Sequence, residues 1–161
     1  MFRLKEVFKL APQETIASLG VLSLSIILGA TNTALRLSPT LNPVIYKALG
    51  ENLGNVMFWQ GGDLASSLCA PAVCALSFMN QTIKDYGHLP EKYLKNMVKD
   101  LALKRATAIS LLFPMFYIIY EVVSGIAKHN IDSADILAFS TPILAAGTFA
   151  LINKFCPSRL S

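Results

Sequence analysis

Charged residues are scarce in this 161-residue chain. They make up 15% of the residues, whereas 53% are hydrophobic and the mean hydropathy is +0.50. A typical soluble domain carries about 25% charged residues, so this composition argues against a water-soluble fold. It also excludes a disordered chain, because disorder requires few apolar residues and many charges.

Cysteines and catalytic motifs are also few. Three cysteines cannot form a disulfide framework in a chain of this length. The phosphate-binding loop, the glycine motif of dinucleotide-binding proteins, the nucleophile elbow and the zinc motif of metalloproteases are all missing. We therefore expect no cofactor, no metal site and no catalytic residues of a familiar soluble enzyme.

Long runs without charge are what the sequence has instead. A helix needs about 20 mostly apolar residues to cross a hydrocarbon layer of ~30 Å. The runs are continuous, whereas a β-barrel would show short alternating segments, and a helix satisfies its own backbone hydrogen bonds in lipid. The sequence predicts an all-α membrane protein, with residues 1–161 forming one transmembrane domain. Its four spans lie at about 15–35, 60–83, 106–126 and 136–153.

Lysine and arginine are distributed unevenly between the two sides that these spans define. Eleven lie in the N-terminal segment, the second connection and the C-terminal segment, and three lie in the first and third connections. The positive-inside rule therefore predicts a multi-pass protein with both termini in the cytoplasm. Because topology explains the excess of positive charge, the basic composition does not indicate nucleic-acid binding.

The connections are predicted to contain one or two interfacial amphipathic helices. After Pro90, apolar residues recur at helical spacing, and four lysines lie largely on other faces: Lys92, Lys95, Lys99 and Lys104. This pattern is typical of a helix on the inner leaflet, where these lysines would contact anionic lipids. A connector that is continuous with the third span is an equal alternative.

Asp63 lies near the predicted start of the second span. If the span begins close to residue 60, Asp63 marks the headgroup boundary. If the span begins near Val56, the segment from Gln60 to Asp63 lies inside the membrane. An intramembrane aspartate is costly and is by default a candidate functional residue.

Four acidic residues are predicted at the outer level of the membrane: Asp63, Glu121, Asp132 and Asp135. They fit two interpretations. They could simply mark the ends of spans, since acidic residues favour helix N-termini. They could instead form a pocket for a cation, or for the amine and hydroxyl groups of a lipid or glycan headgroup, because carboxylates accept hydrogen bonds from such groups.

The segment from Tyr120 to Ala138 resembles the VanZ-like membrane proteins. In that family a Glu near the end of one span is followed by a short loop and two Asp residues three apart, which correspond here to Glu121, Asp132 and Asp135. The resemblance implies four spans with both ends inside, and a role at the cell envelope such as resistance to glycopeptide antibiotics. The family's biochemical activity is not settled, so the resemblance implies no particular reaction.

A non-catalytic accessory subunit of a larger membrane complex is the alternative hypothesis. It predicts broad apolar faces for partner subunits and no central polar cavity.

Both hypotheses require close helix packing. Ser25 and Gly29 stand four apart in the first span, and small residues at this spacing let helix backbones approach each other.

Overall fold

The computed structural model describes residues 2–128 and residue 147, with only the backbone at residues 102, 103, 113, 114, 117, 121 and 128. In this part of the chain the regular elements are five α-helices: α1 (Leu4–Leu10), α2 (Pro12–Leu37), α3 (Leu41–Leu49), α4 (Glu51–Tyr86) and α5 (Glu91–Lys128). The predicted all-α class is confirmed for these residues. The fourth predicted span, 136–153, falls outside them apart from residue 147.

Helix α2 contains the first predicted span. It begins at Pro12, where proline suits the first turn because its missing N–H needs no partner there. Only 22% of its most apolar segment is buried, and Leu24, Ile26 and Ile27 are each about half exposed or more. A core helix of a soluble protein would bury this surface. Helices α2 and α4 are the two described helices that are long and apolar enough to cross a membrane.

Helix α4 is longer than the second predicted span. It has 36 residues and begins at Glu51, well before residue 60. The chain turns into it at Gly50, whose φ of 79° is a conformation that glycine adopts without strain. At ~1.5 Å per residue the helix is about 54 Å long, which exceeds the ~30 Å hydrocarbon layer. The segment from Gln60 to Asp63 is therefore helical and internal to α4.

Helix α5 joins the second connection and the third predicted span into one element. Its 38 residues run without a break from Glu91 to Lys128. The separate interfacial helix that the lysine pattern predicted after Pro90 is therefore not formed. The alternative, a connector continuous with the third span, is the one observed. The polar residues that begin α5 have high helix propensity, so nothing in the local sequence ends the helix at the predicted start of that span.

Helix α4 is the centre of the packing. It contacts α2 and α5 along its length and contacts α1 and α3 near its ends. At one end α1 packs against α4 and α5 in a buried apolar cluster, which we call the α1 end: Val7, Leu10, Ala11, Leu76, Met79, Ile83, Leu94 and Val98. This cluster fixes the short helix α1 to the antiparallel pair of long helices.

The opposite end, which we call the α3 end, depends on Gly54. A Cβ atom at this position would lie 2.5 Å from Cδ1 of Tyr46, so only glycine lets the ring lie against α4. The Tyr46 hydroxyl donates a hydrogen bond to Asn55 Oδ1 over 3.0 Å. Tyr46 thus contributes an aromatic contact and a hydrogen bond to the docking of α3 on α4, and Asn42 Nδ2 ties α3 to α2 by a hydrogen bond to the backbone oxygen of Leu35.

Candidate functional site

A buried amide joins α2 to α4 near the α3 end. Asn32 Nδ2 donates hydrogen bonds to the backbone oxygens of Met57, at 2.8 Å, and Phe58, at 2.9 Å. Asn32 is buried, and in an apolar setting an amide without partners would be strongly unfavourable. These two bonds therefore fix the relative height of the two helices at this level.

Two adjacent glycines make this contact possible. A Cβ atom on Gly61 would lie 3.0 Å from Cβ of Asn32, and one on Gly62 would lie 3.3 Å from Oδ1 of Asn32. Side chains at these positions would push α2 away from α4. Asn32 and the Gly61–Gly62 pair were missed as a contact by sequence reasoning, although a lone amide in a charge-free run and a glycine pair beside an aspartate are both visible signals.

The contact continues toward the middle of the helices through small residues. Ser25 Oγ donates a hydrogen bond to the backbone oxygen of Ala65 over 2.6 Å. A Cβ atom on Gly29 would lie 3.5 Å from Cβ of Ala65, which is ordinary van der Waals contact. The predicted packing role of Ser25 and Gly29 is confirmed, since both lie where α2 meets α4.

Asp63 lies within this stretch of α4. It is partly buried, and its backbone oxygen accepts hydrogen bonds from the hydroxyls of Ser66 and Ser67. Because Asn32 meets residues 57–62 and Gly29 meets Ala65, position 63 is level with residues 29–32 of α2. At ~1.5 Å per residue, the level of Asp63 is roughly 8 Å from that of Arg36 along the axis of α2, toward the middle of the helix.

Helix α5 packs against α4 as an antiparallel partner. The guanidinium carbon of Arg105 lies 4.9 Å from the centre of the Phe78 ring. From this contact the two helices run toward the α3 end, α4 through Asp63 and α5 through position 121. Asp132 and Asp135 lie outside the described residues.

A second polar site lies at the α1 end. Glu14 Oε1 is 3.3 Å from Lys99 Nζ, with the Glu14 side chain 1% exposed and that of Lys99 14% exposed. Within the described part of the chain neither oxygen of Glu14 has a hydrogen-bond partner. A buried carboxylate without hydrogen bonds depends strongly on its one counter-charge. Lys99, which the sequence assigned to anionic lipid, is thus directed into the fold.

Sequence reasoning did not pair these two residues. In the sequence, Glu14 directly precedes the charge-free run of the first predicted span, and Lys99 is one of the four lysines predicted to contact anionic lipids. Thr15 and Ser18 are also fully buried on this part of α2, with hydroxyls bonded to backbone oxygens one turn earlier. A polar stripe at the start of an apolar helix was the available signal, but it does not specify a partner.

A groove of about 780 Å³ follows the first part of α5. Its wall is mostly apolar, with a polar edge formed by Asn96, Asp100 and Lys104. Lys104 Nζ is 2.8 Å from Asp100 Oδ2, in a solvent-exposed pair. The described residues contain no group of three His, Cys, Asp or Glu side chains that could hold a metal ion.

Comparisons with protein-family models, curated proteins and solved structures found no match to this chain. The resemblance to the VanZ-like proteins therefore stays a prediction from the sequence.

Proposed function

We propose that the chain is a multi-pass membrane protein of the cell envelope that binds the headgroup of a lipid or glycan at an acidic site in the outer half of the membrane. The site consists of Asp63, Glu121, Asp132 and Asp135. Four spans with both termini in the cytoplasm bring these residues to the outer side, as in the VanZ-like proteins that the segment from Tyr120 to Ala138 resembles. The role is binding rather than a defined reaction.

The height of Asp63 along α2 is the observation that carries this proposal. The charge-free segment of α2 ends at Arg36, and Asp63 is roughly 8 Å inside that level. If α2 crosses the membrane with this segment, Asp63 lies in hydrocarbon. An ionisable residue at such a depth is costly, and it typically belongs to a substrate or ion site. The antiparallel course of α5 carries Glu121 toward the same half of the membrane.

Lysines at the other end of the helices support contact with anionic lipids. Lys92 and Lys95 are exposed on α5, and Lys104 lies at the edge of the groove. Lysines beside a negatively charged leaflet favour its anionic lipids. Lys99 was assigned to the same role, but its ammonium group is committed to Glu14. The lipid contact we propose therefore uses Lys92, Lys95 and Lys104.

One observation favours the alternative, a non-catalytic accessory subunit of a membrane complex. Exposed apolar residues follow α5 at spacings of four and three, as in a seam that receives another helix: Leu112, Phe116, Ile119, Val123 and Ile126. The predicted fourth span or a helix of another subunit would fit this spacing. The two hypotheses predict different co-purified material. A binding protein should retain a lipid or glycan, and an accessory subunit should retain other membrane subunits.

The test is to purify the protein in mild detergent and to identify the retained lipids and glycans by mass spectrometry. We expect Asp63→Asn to reduce the retained headgroup class about tenfold or more, because it removes a charged acceptor from the ligand. The matched control is Asp85→Asn, which changes an exposed aspartate at the other end of the same helix and should leave the bound material unchanged.

Two outcomes would contradict the proposal. Equal retention by the two variants would show that Asp63 takes no part in binding. Stable co-migration with other membrane proteins, unaffected by Asp63→Asn, would favour the accessory subunit. Folding of both variants is verified by their helical circular dichroism.

A further inference from the structure

Helix α1 has two faces of different character. Val7 and Leu10 are buried in the cluster of the α1 end. On the outside, Phe2, Leu4 and Phe8 are each 43–46% exposed. Lys5 and Lys9 are exposed beside them, one helical turn apart. We call this combination of three apolar and two basic side chains the outer face of α1.

The contacts of α1 hold this face in a fixed orientation. The backbone N–H of Arg3 donates a hydrogen bond to Asn80 Oδ1 over 2.8 Å, which ties the start of α1 to α4. Ala11, fully buried, connects α1 directly to Pro12 of α2. The inward residues thus belong to the buried cluster of the α1 end, and the outward residues stay nearly half exposed.

The height of α1 matches the edge of a membrane. Helix α1 immediately precedes the charge-free segment of α2, which begins after Glu14. Its cluster partners Met79 and Ile83 lie just before the charged end of α4. Aromatic and basic side chains are enriched at this boundary, because the rings prefer the interface and the cations prefer anionic headgroups.

The charges near α1 leave its lysines able to bind phosphate. Lys5 has no ion-pair partner within residues 2–128. Lys9 Nζ is 3.1 Å from Glu91 Oε2, but both side chains are more than 60% exposed. Exposed pairs of this kind are weak and exchange readily. A phosphodiester can therefore replace Glu91 as the partner of Lys9.

From these observations we infer that the outer face of α1 binds anionic phospholipids of the inner leaflet. The rings of Phe2 and Phe8 insert at the level of the headgroups, and Lys5 and Lys9 contact the lipid phosphates. The inference rests on the membrane insertion proposed above, but it adds a lipid contact through α1 to the one proposed for the lysines of α5.

The experiment uses tryptophan fluorescence in reconstituted bilayers. Trp59 is the only tryptophan of the chain and is 61% exposed near the α3 end. The double variant Trp59→Phe, Phe8→Trp moves the single tryptophan to the outer face of α1. Each protein is reconstituted in phosphatidylcholine bilayers that contain the same fraction of either brominated phosphatidylglycerol or brominated phosphatidylcholine.

We expect the tryptophan at position 8 to be quenched more strongly by the brominated anionic lipid. Adding Lys5→Gln and Lys9→Gln should reduce this preference roughly tenfold, because each lysine near an anionic surface contributes several-fold. The control pair Lys47→Gln and Lys84→Gln removes the same charge from exposed positions of α3 and α4 and should retain most of the preference.

The remaining outcomes separate this inference from the proposed function. If Trp59 in the unmodified chain is quenched but the tryptophan at position 8 is not, the face of α1 does not touch lipid and the inference is overturned alone. Equal quenching by both brominated lipids would overturn its anionic selectivity. If neither tryptophan is quenched, the chain is not inserted, and both proposals fail together.

Discussion

Replacing Lys99 by methionine should destabilise the fold by about 3–5 kcal/mol. The substitution keeps an unbranched apolar stem but removes the counter-charge that Lys99 gives to the Glu14 carboxylate, which is 1% exposed. Neither oxygen of that carboxylate has a hydrogen bond among the described residues to compensate. The loss should appear as a lower temperature of helix melting in detergent, followed by circular dichroism.

A compensating change distinguishes a lost charge pair from lost packing. Glu14→Gln combined with Lys99→Met removes both charges and should recover most of the stability, because a buried pair contributes little beyond a neutral pair of similar volume. Lys95→Met, on an exposed position of the same helix, should change the melting temperature very little. If Lys95→Met and Lys99→Met were equally mild, the pair would not be buried as described.

Replacing Gly61 by leucine should be the most damaging single change between α2 and α4. The Cβ atom of the new side chain alone would lie 3.0 Å from Asn32 Cβ and 3.0 Å from the terminal methyl of Met57. Because leucine adds three further carbon atoms beyond Cβ, α2 and α4 must move apart. Overpacking of this kind and the loss of the two Asn32 hydrogen bonds together amount to about 2–4 kcal/mol.

Gly20→Leu is the matched control for this substitution. Gly20 also lies within an apolar helix, but a Cβ atom there would meet no atom of the described residues within 4 Å. Leucine has a higher helix propensity than glycine, so the control should be neutral or slightly stabilising in the same melting experiment. A similar loss in both variants would mean that leucine is disfavoured for a reason unrelated to the contact with Asn32.

The helical class and the position of α2 could be predicted from the sequence. The apolar run between Glu14 and Arg36 predicts where the helix lies. Pro12 and the Ser38–Pro39 pair then mark its two ends, which agree with the observed bounds of α2. The charged residues predicted the ends of α2 correctly because Glu14 and Arg36 lie in its first and last turns. The same rule failed for α4 and α5, since polar residues with good helix propensity continue a helix beyond any apolar run.

The height of Asp63 relative to α2 could not be derived from the local sequence. A charge beside an apolar run marks either the end of a span or a residue inside it, and the sequence pattern is the same in both cases. The height is set by a contact between distant segments, in which Asn32 reaches the carbonyls of Met57 and Phe58. The pairing of Glu14 with Lys99 likewise joins segments far apart in the chain.

The depth of Asp63 can be measured directly by spin labelling. In a background with the three cysteines replaced, a nitroxide is attached at Glu51, Ser66 or Lys84, all exposed positions of α4. After reconstitution in liposomes, we expect the label at Ser66, one turn from Asp63, to collide with oxygen and to be shielded from a water-soluble nickel chelate. The labels at Glu51 and Lys84 should be reached by the chelate. If the chelate reaches Ser66 as readily as Lys84, Asp63 does not lie within a membrane.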